Sequence, residues 1–142
     1  MCIFSIDDKS FPIIKTKLKG ELTSDSLNEF FNMLLSLYDK NKKFYLIVDI
    51  CEISNPSIKD SYKLVKFIKE IKKKNPQYLK KSILILNDSY ILKKLMGFAF
   101  KITSPAAPLY LYWKKMNEMN VNNNTIQEIF ETQNDKFQQI LP

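Results

Sequence analysis

The chain contains no histidine and no arginine: all 22 of its basic residues are lysine. Without imidazole it lacks the side chain that most often moves protons near neutral pH, so a nucleophilic Ser or Cys would need a lysine or carboxylate as its base. Two glycines, Gly20 and Gly97, are too few for a phosphate-cradling P-loop or a dinucleotide fingerprint. Cysteine is equally scarce, with only Cys2 and Cys51. With neither a CxxC spacing nor a histidine, a zinc site is excluded, and in a reducing compartment both thiols read as small buried hydrophobes rather than a disulfide. No apolar run approaches the roughly 18 residues of a membrane span, and Met1 to Asp8 lacks the basic region and cleavage site of a signal peptide. The expectation is a soluble, cytoplasmic protein that is not an enzyme and takes no cofactor and no metal.

What is present fits one globular domain over residues 1–142, with 45% hydrophobic and 26% charged residues. The net charge of +7 raises the question of an anionic partner. Nucleic acid is disfavoured, because lysine lacks the planar fork with which arginine reads bases and phosphates. A solvated lysine surface, a protein partner or an anionic membrane surface remain. Heavy use of Lys, Asn and Ile without Arg also matches the drift of AT-rich genomes, which accounts for part of the basicity.

The apolar pattern alternates between strand and helix. Residues 2–7 and 11–18 read as two strands joined at Asp8-Lys9-Ser10, the second closing at Gly20. Leu27, Phe30, Phe31, Leu34, Leu35 and Tyr38 then recur at helical spacing, with Ser26 and Glu29 as a capping box. Phe44 to Ile50 reads as a strand buried on both faces, and Asn55-Pro56 as the start of a second helix reaching about Lys74. On that helix Leu64, Val65, Phe67, Ile68 and Ile71 form one face and Lys59, Lys63, Lys66, Lys73 and Lys74 the other. Ser82 to Leu86 is a further buried strand, Tyr90 to Ile102 a third helix after Asp88-Ser89, and Leu109 to Trp113 another strand. A capping box at Thr125-Ile126-Gln127-Glu128 opens a final helix with Ile126, Ile129, Phe130, Phe137 and Ile140 on one face. The predicted fold is α/β, in the order ββαβαβαβα, with a mixed four- or five-stranded sheet flanked by helices. Ile47, Val48, Ile83, Ile85, Leu109 and Leu111 are expected at the centre of its core.

This order resembles the STAS fold of anti-sigma-factor antagonists and the related lipid-binding lobe of CRAL-TRIO domains. Leu18-Lys19-Gly20-Glu21-Leu22-Thr23 is similar to the G-x-L-T turn of STAS-like proteins, and Leu46-Ile47-Val48-Asp49 to their central strand. Asn75 to Asn87 is similar to the segment of CRAL-TRIO domains that leads, through an apolar helix, to a proline, here Pro105. The STAS resemblance implies a protein-binding or regulatory module whose partner meets the start of the second helix. The expected partner surface is therefore Ser54, Ser57, Lys59, Lys63 and Lys66. The antagonists' phosphorylated serine is not matched, since Ser54-Asn55-Pro56-Ser57-Ile58 has no Asp-Ser pair and no glycine, and Ser57 reads as a helix cap.

The CRAL-TRIO resemblance implies instead a binder of a small lipid or apolar ligand. The third helix carries too many apolar residues for one stripe, which makes Leu92, Leu95, Met96, Phe98 and Phe100 the expected apolar ligand or partner surface. A third reading is a structural component of a larger assembly such as a large-virus particle. Asp7, Asp8, Asp49 and Lys114 near strand ends could suggest a Mg²⁺-binding receiver, but Phe11 to Leu18 reads as a strand where a receiver needs a helix.

Overall fold

The computed structural model describes residues 3–54, 56–87, 90–114 and 137–140. Strand β1 (Ile3–Asp7) turns back into β2 (Ile13–Glu21), after which helix α1 (Ser24–Ser36) and a 3₁₀ turn (Leu37–Lys40) lead to β3 (Phe44–Ser54). Helix α2 (Ile58–Lys72), β4 (Leu79–Asn87), helix α3 (Tyr90–Ile102), β5 (Leu109–Lys114) and β6 (Phe137–Ile140) follow. The α/β class and the mixed sheet are those expected.

All six strands form one sheet in sequence order, antiparallel at β1–β2 and β5–β6 and parallel from β2 to β5. Each parallel pair is joined by one helix, and crossovers of a single hand between successive neighbours place every helix on the same face. The packing agrees: Phe30 and Leu34 of α1, Phe67 and Ile71 of α2, and Met96 and Phe100 of α3 all belong to one apolar cluster, which includes Ile14, Leu46, Leu86 and Leu111 from the sheet. A second cluster, Ile47, Ile83, Ile85, Tyr110 and Tyr112 with Ile13 and Cys51 against it, lies on the opposite face and includes no residue of α1, α2 or α3. The six residues expected at the core centre are thus divided, with Val48, Leu109 and Leu111 on the helix side and Ile47, Ile83 and Ile85 on the other.

Several local expectations shift for identifiable reasons. Helix α1 is capped one turn earlier than Ser26, because Thr23 Oγ1 accepts the Ser26 backbone N–H at 3.1 Å while Ser26 Oγ accepts the Thr23 N–H at 3.0 Å. Helix α2 begins after Ser57 rather than at Asn55-Pro56, with the Ser57 N–H donating to Asp60 Oδ2 at 2.8 Å. The acidic turn is a hairpin: Asp7 Oδ1 accepts the Lys9 N–H at 2.9 Å, Asp8 pairs with Lys40 at 3.7 Å, and the Asp49 carboxylate is engaged by the Cys51 N–H. Gly20, at φ 95°, supplies a left-handed conformation just beyond the bulge at Lys17–Lys19.

The end of the chain is a correction. Phe137 and Ile140 were expected on a helix, yet they lie in β6, with Tyr112 opposite Phe137 and Leu109 opposite Ile140. Without β6 the backbone of β5 would present an unpaired edge, and satisfying that row of donors and acceptors outweighs a helical spacing of apolar residues. Among the described residues the sheet therefore has six strands, one more than the widest expectation. Asp88, Ser89, Asn55 and the capping box at Thr125 to Glu128 lie outside the described residues.

Candidate functional site: an apolar cavity under the helices

The inward rows of β3 and β4 do not pack fully against the helices. Val48 and Leu84 are direct partners at the middle of these two central strands, where burial should be deepest, yet both are only half-buried. Their outward neighbours Ile47, Ile83 and Ile85 are 3%, 0% and 3% exposed. The inversion has a cause: Val48 and Leu84 face a partly open cavity of about 170 Å³ between the sheet and α1, α2 and α3.

Each wall follows from a sequence pattern already described. Helix α1 contributes Leu27, Phe30 and Phe31 from its apolar stripe, and α2 contributes Leu64 and Phe67. The Phe31 and Phe67 rings stack at 4.2 Å and 11°, tying those two helices together along one wall. Helix α3 contributes Leu95, Met96 and Phe100. It is held against α2 where Ser61 Oγ donates to the Leu95 carbonyl at 3.3 Å, a bond that satisfies a buried hydroxyl and a backbone acceptor together. Asp60, Ser61 and Ser82 are the polar side-chain residues of a lining that is otherwise apolar. The Asp60 carboxylate is engaged in capping α2 and the Ser61 hydroxyl in bridging to α3.

The expected apolar residues of α3 separate accordingly. Leu95 is buried, Met96 and Phe100 are half-buried, and all three line the cavity. Phe98 is directed elsewhere, meeting the Tyr62 ring of α2 edge-on at 5.4 Å. The Leu92 side chain lies outside the described residues.

The expected partner residues do not line the cavity but lie beside its lining residues Ile53, Pro56 and Asp60, at the end of β3 and on α2. Ser54 and Ser57 are exposed at the strand end and helix cap, Lys59 and Lys66 are exposed on α2, and Lys63 is half-buried. Two exposed apolar residues accompany them that pattern reading missed, Ile58 at 58% and Tyr62 at 57% exposure. Their signal was there, since both fall off the apolar stripe of α2 and one turn apart.

Among the described residues, Tyr38 and Lys17 are displaced from their ordinary values. Burial pushes the Tyr38 hydroxyl up to about 12, where it meets the side-chain oxygen of Gln77. Lys17 is raised by its contact with Glu52 at 2.9 Å, on the sheet rather than at the cavity. Among the described residues, no cluster of His, Cys, Asp or Glu has the makings of a metal site, and no helix is long and apolar enough to cross a membrane.

Set against known proteins, the chain matches no family model, and no curated protein matches it significantly.

Proposed function

We propose that this protein binds a small apolar molecule, or the apolar end of a larger one, in the cavity between its sheet and helices α1, α2 and α3, and performs no chemistry on it. The cavity itself carries the reading. In a sealed core residual volume costs about 24 cal/mol per Å³, which for about 170 Å³ sets an upper bound of roughly 4 kcal/mol; this cavity is partly open, and its apolar wall is left without packing partners. Net stabilities are only about 5–15 kcal/mol, so a void of this size is expensive to retain for no purpose. A hydrocarbon occupant restores the missing dispersion contacts and offsets that cost.

Size and lining define the ligand class. A closed cavity of about 150 Å³ lined by Leu, Ile and Phe takes a benzene-sized molecule and stays dry otherwise. The site therefore suits one aromatic ring or about six to eight carbons of a chain, and gives little reward to a ligand that brings charge inside. Met96 adds an adaptable wall, since its unbranched thioether can follow the shape of different occupants. The resemblance to the CRAL-TRIO lobe, in which the equivalent of α3 gates a lipid site, supports the same reading.

The test is direct. Solvent extraction of the purified protein followed by mass spectrometry should recover a co-purifying apolar compound. Thermal melts of ligand-stripped protein should rise with added benzene, short alkanols or fatty acids, because a ligand specific for the native state stabilises it by about 2.7 kcal/mol at a hundredfold excess over Kd. No recovered compound together with no rise for any of these probes would overturn the proposal.

A further inference from the structure

The basic charge of this chain is concentrated on two neighbouring helices, and apolar side chains are exposed among it. Helices α2 and α3 carry eight lysines against Asp60 and Glu70, a net +6 out of the whole chain's +7. On α2, turning the sequence at 100° per residue places Ile58, Lys69, Tyr62, Lys66 and Lys59 in that order across an arc of about 100°, which begins about 20° from the buried Val65 and runs away from Ile68 and Ile71. All five are exposed, Ile58 and Tyr62 by more than half. The edge-on contact of Tyr62 with Phe98 joins this strip to α3, which adds the exposed Lys93, Lys94, Lys101 and Ile102.

We infer that the outer face of α2 and α3 docks on an anionic lipid bilayer. The chemistry favours this occupant over other polyanions. Lysine is a strongly hydrated point charge that serves a diffuse negative surface well, and each one near an anionic leaflet strengthens binding about fivefold. Isoleucine side chains standing among lysines gain nothing from a nucleic-acid backbone. At a bilayer isoleucine and tyrosine side chains enter the headgroup boundary, with the tyrosine hydroxyl left in the wet layer and lysine stems lying along the apolar one. Charge supplies the long-range attraction and Ile58, Tyr62 and Ile102 the short-range anchorage, the two signals that reversible membrane attachment needs. The inference does not depend on the cavity having an occupant, since every residue it uses lies on the outside of the helix layer.

Vesicle co-sedimentation of the full chain tests it, with phosphatidylcholine vesicles compared with vesicles that also contain phosphatidylserine. The protein should pellet with the anionic vesicles, leave the neutral ones in solution, and be released by added salt. Lys59→Glu with Lys66→Glu should weaken anionic binding roughly 25-fold or more. Ile58→Ser with Tyr62→Ser should weaken it at unchanged charge, while circular dichroism confirms that both variants are folded. Equal pelleting with both vesicle types, or none with either, would overturn the inference. So would anionic binding undiminished by Ile58→Ser with Tyr62→Ser, which would mean charge adsorption alone. Tighter binding to polyglutamate or to duplex DNA than to the anionic vesicles would assign the face to a protein or nucleic-acid partner instead.

Discussion

Replacing Val48 by phenylalanine separates a real cavity from an ordinary core. Val48 sits at the centre of β3, opposite Leu84 on β4, and faces the space beneath the helices. The substitution adds about 50 Å³, which at about 24 cal/mol per Å³ of filled cavity is worth roughly 1.2 kcal/mol. Phenylalanine is also at home in a strand, so the backbone offers no resistance. In a chain of this size that gain raises Tm by roughly 3–5 °C. In a core already packed to normal density the same change would cost about 1–3 kcal/mol through overpacking, so the sign of the shift decides. The filled protein should also bind its ligand more weakly, because the added ring occupies part of the space that a benzene-sized occupant needs. Thermal melts of wild type and Val48→Phe, with and without added benzene, read both effects. A lower Tm for the variant, or a benzene response equal to that of wild type, would refute the reasoning.

Two further outcomes follow from burial. Truncating neighbours on β4 should have unequal effects: Ile83→Ala, at a side chain 0% exposed, should cost about 2–5 kcal/mol, whereas Leu84→Ala, beside existing free volume, should cost at least 1 kcal/mol less, as chemical denaturation would show. Stability should fall as pH rises from about 10 to about 12, because burial holds the Tyr38 proton in the folded state after an unfolded chain has released its own near pH 10. The folded state binds more protons over that window, so its advantage is full below pH 10 and is lost by about 12; allowing for partial access of water to the hydroxyl, the loss is roughly 1–2 kcal/mol. Tyr38→Phe should flatten this part of the stability profile relative to wild type, and an unchanged slope would contradict the assignment.

Most of the fold was legible because its signals are local. The hairpin at Asp8 to Ser10, the stripes of α1 and α2 and the long apolar strands β3 and β4 each stand out within a window of about a dozen residues. The errors arose where distant partners decide. Phe137 and Ile140 have helical spacing, but the hydrogen-bond demand of the β5 edge, more than twenty residues earlier in the chain, draws them into a strand. Ile47 and Val48 could both be placed in the core from their apolar surroundings, but periodicity does not show that one lies under full cover and the other beside a cavity. That difference depends on how closely three helices approach one face of the sheet, and helix spacing leaves no mark in a single sequence. The exposed pair Ile58 and Tyr62 is legible in the sequence, since each breaks the polar face of α2 among its lysines.

The cavity's occupancy is tested most directly by methyl-resolved NMR of ligand-stripped protein titrated with benzene. Saturable shifts should appear at the Val48, Leu64, Leu84, Leu95 and Met96 methyl groups, among those that share the cavity wall, while those of Ile47 and Ile85 on the opposite face stay in place. An absence of saturable shifts, or equal shifts on both faces of the sheet, would contradict the claim that this protein holds an apolar ligand beneath its helices.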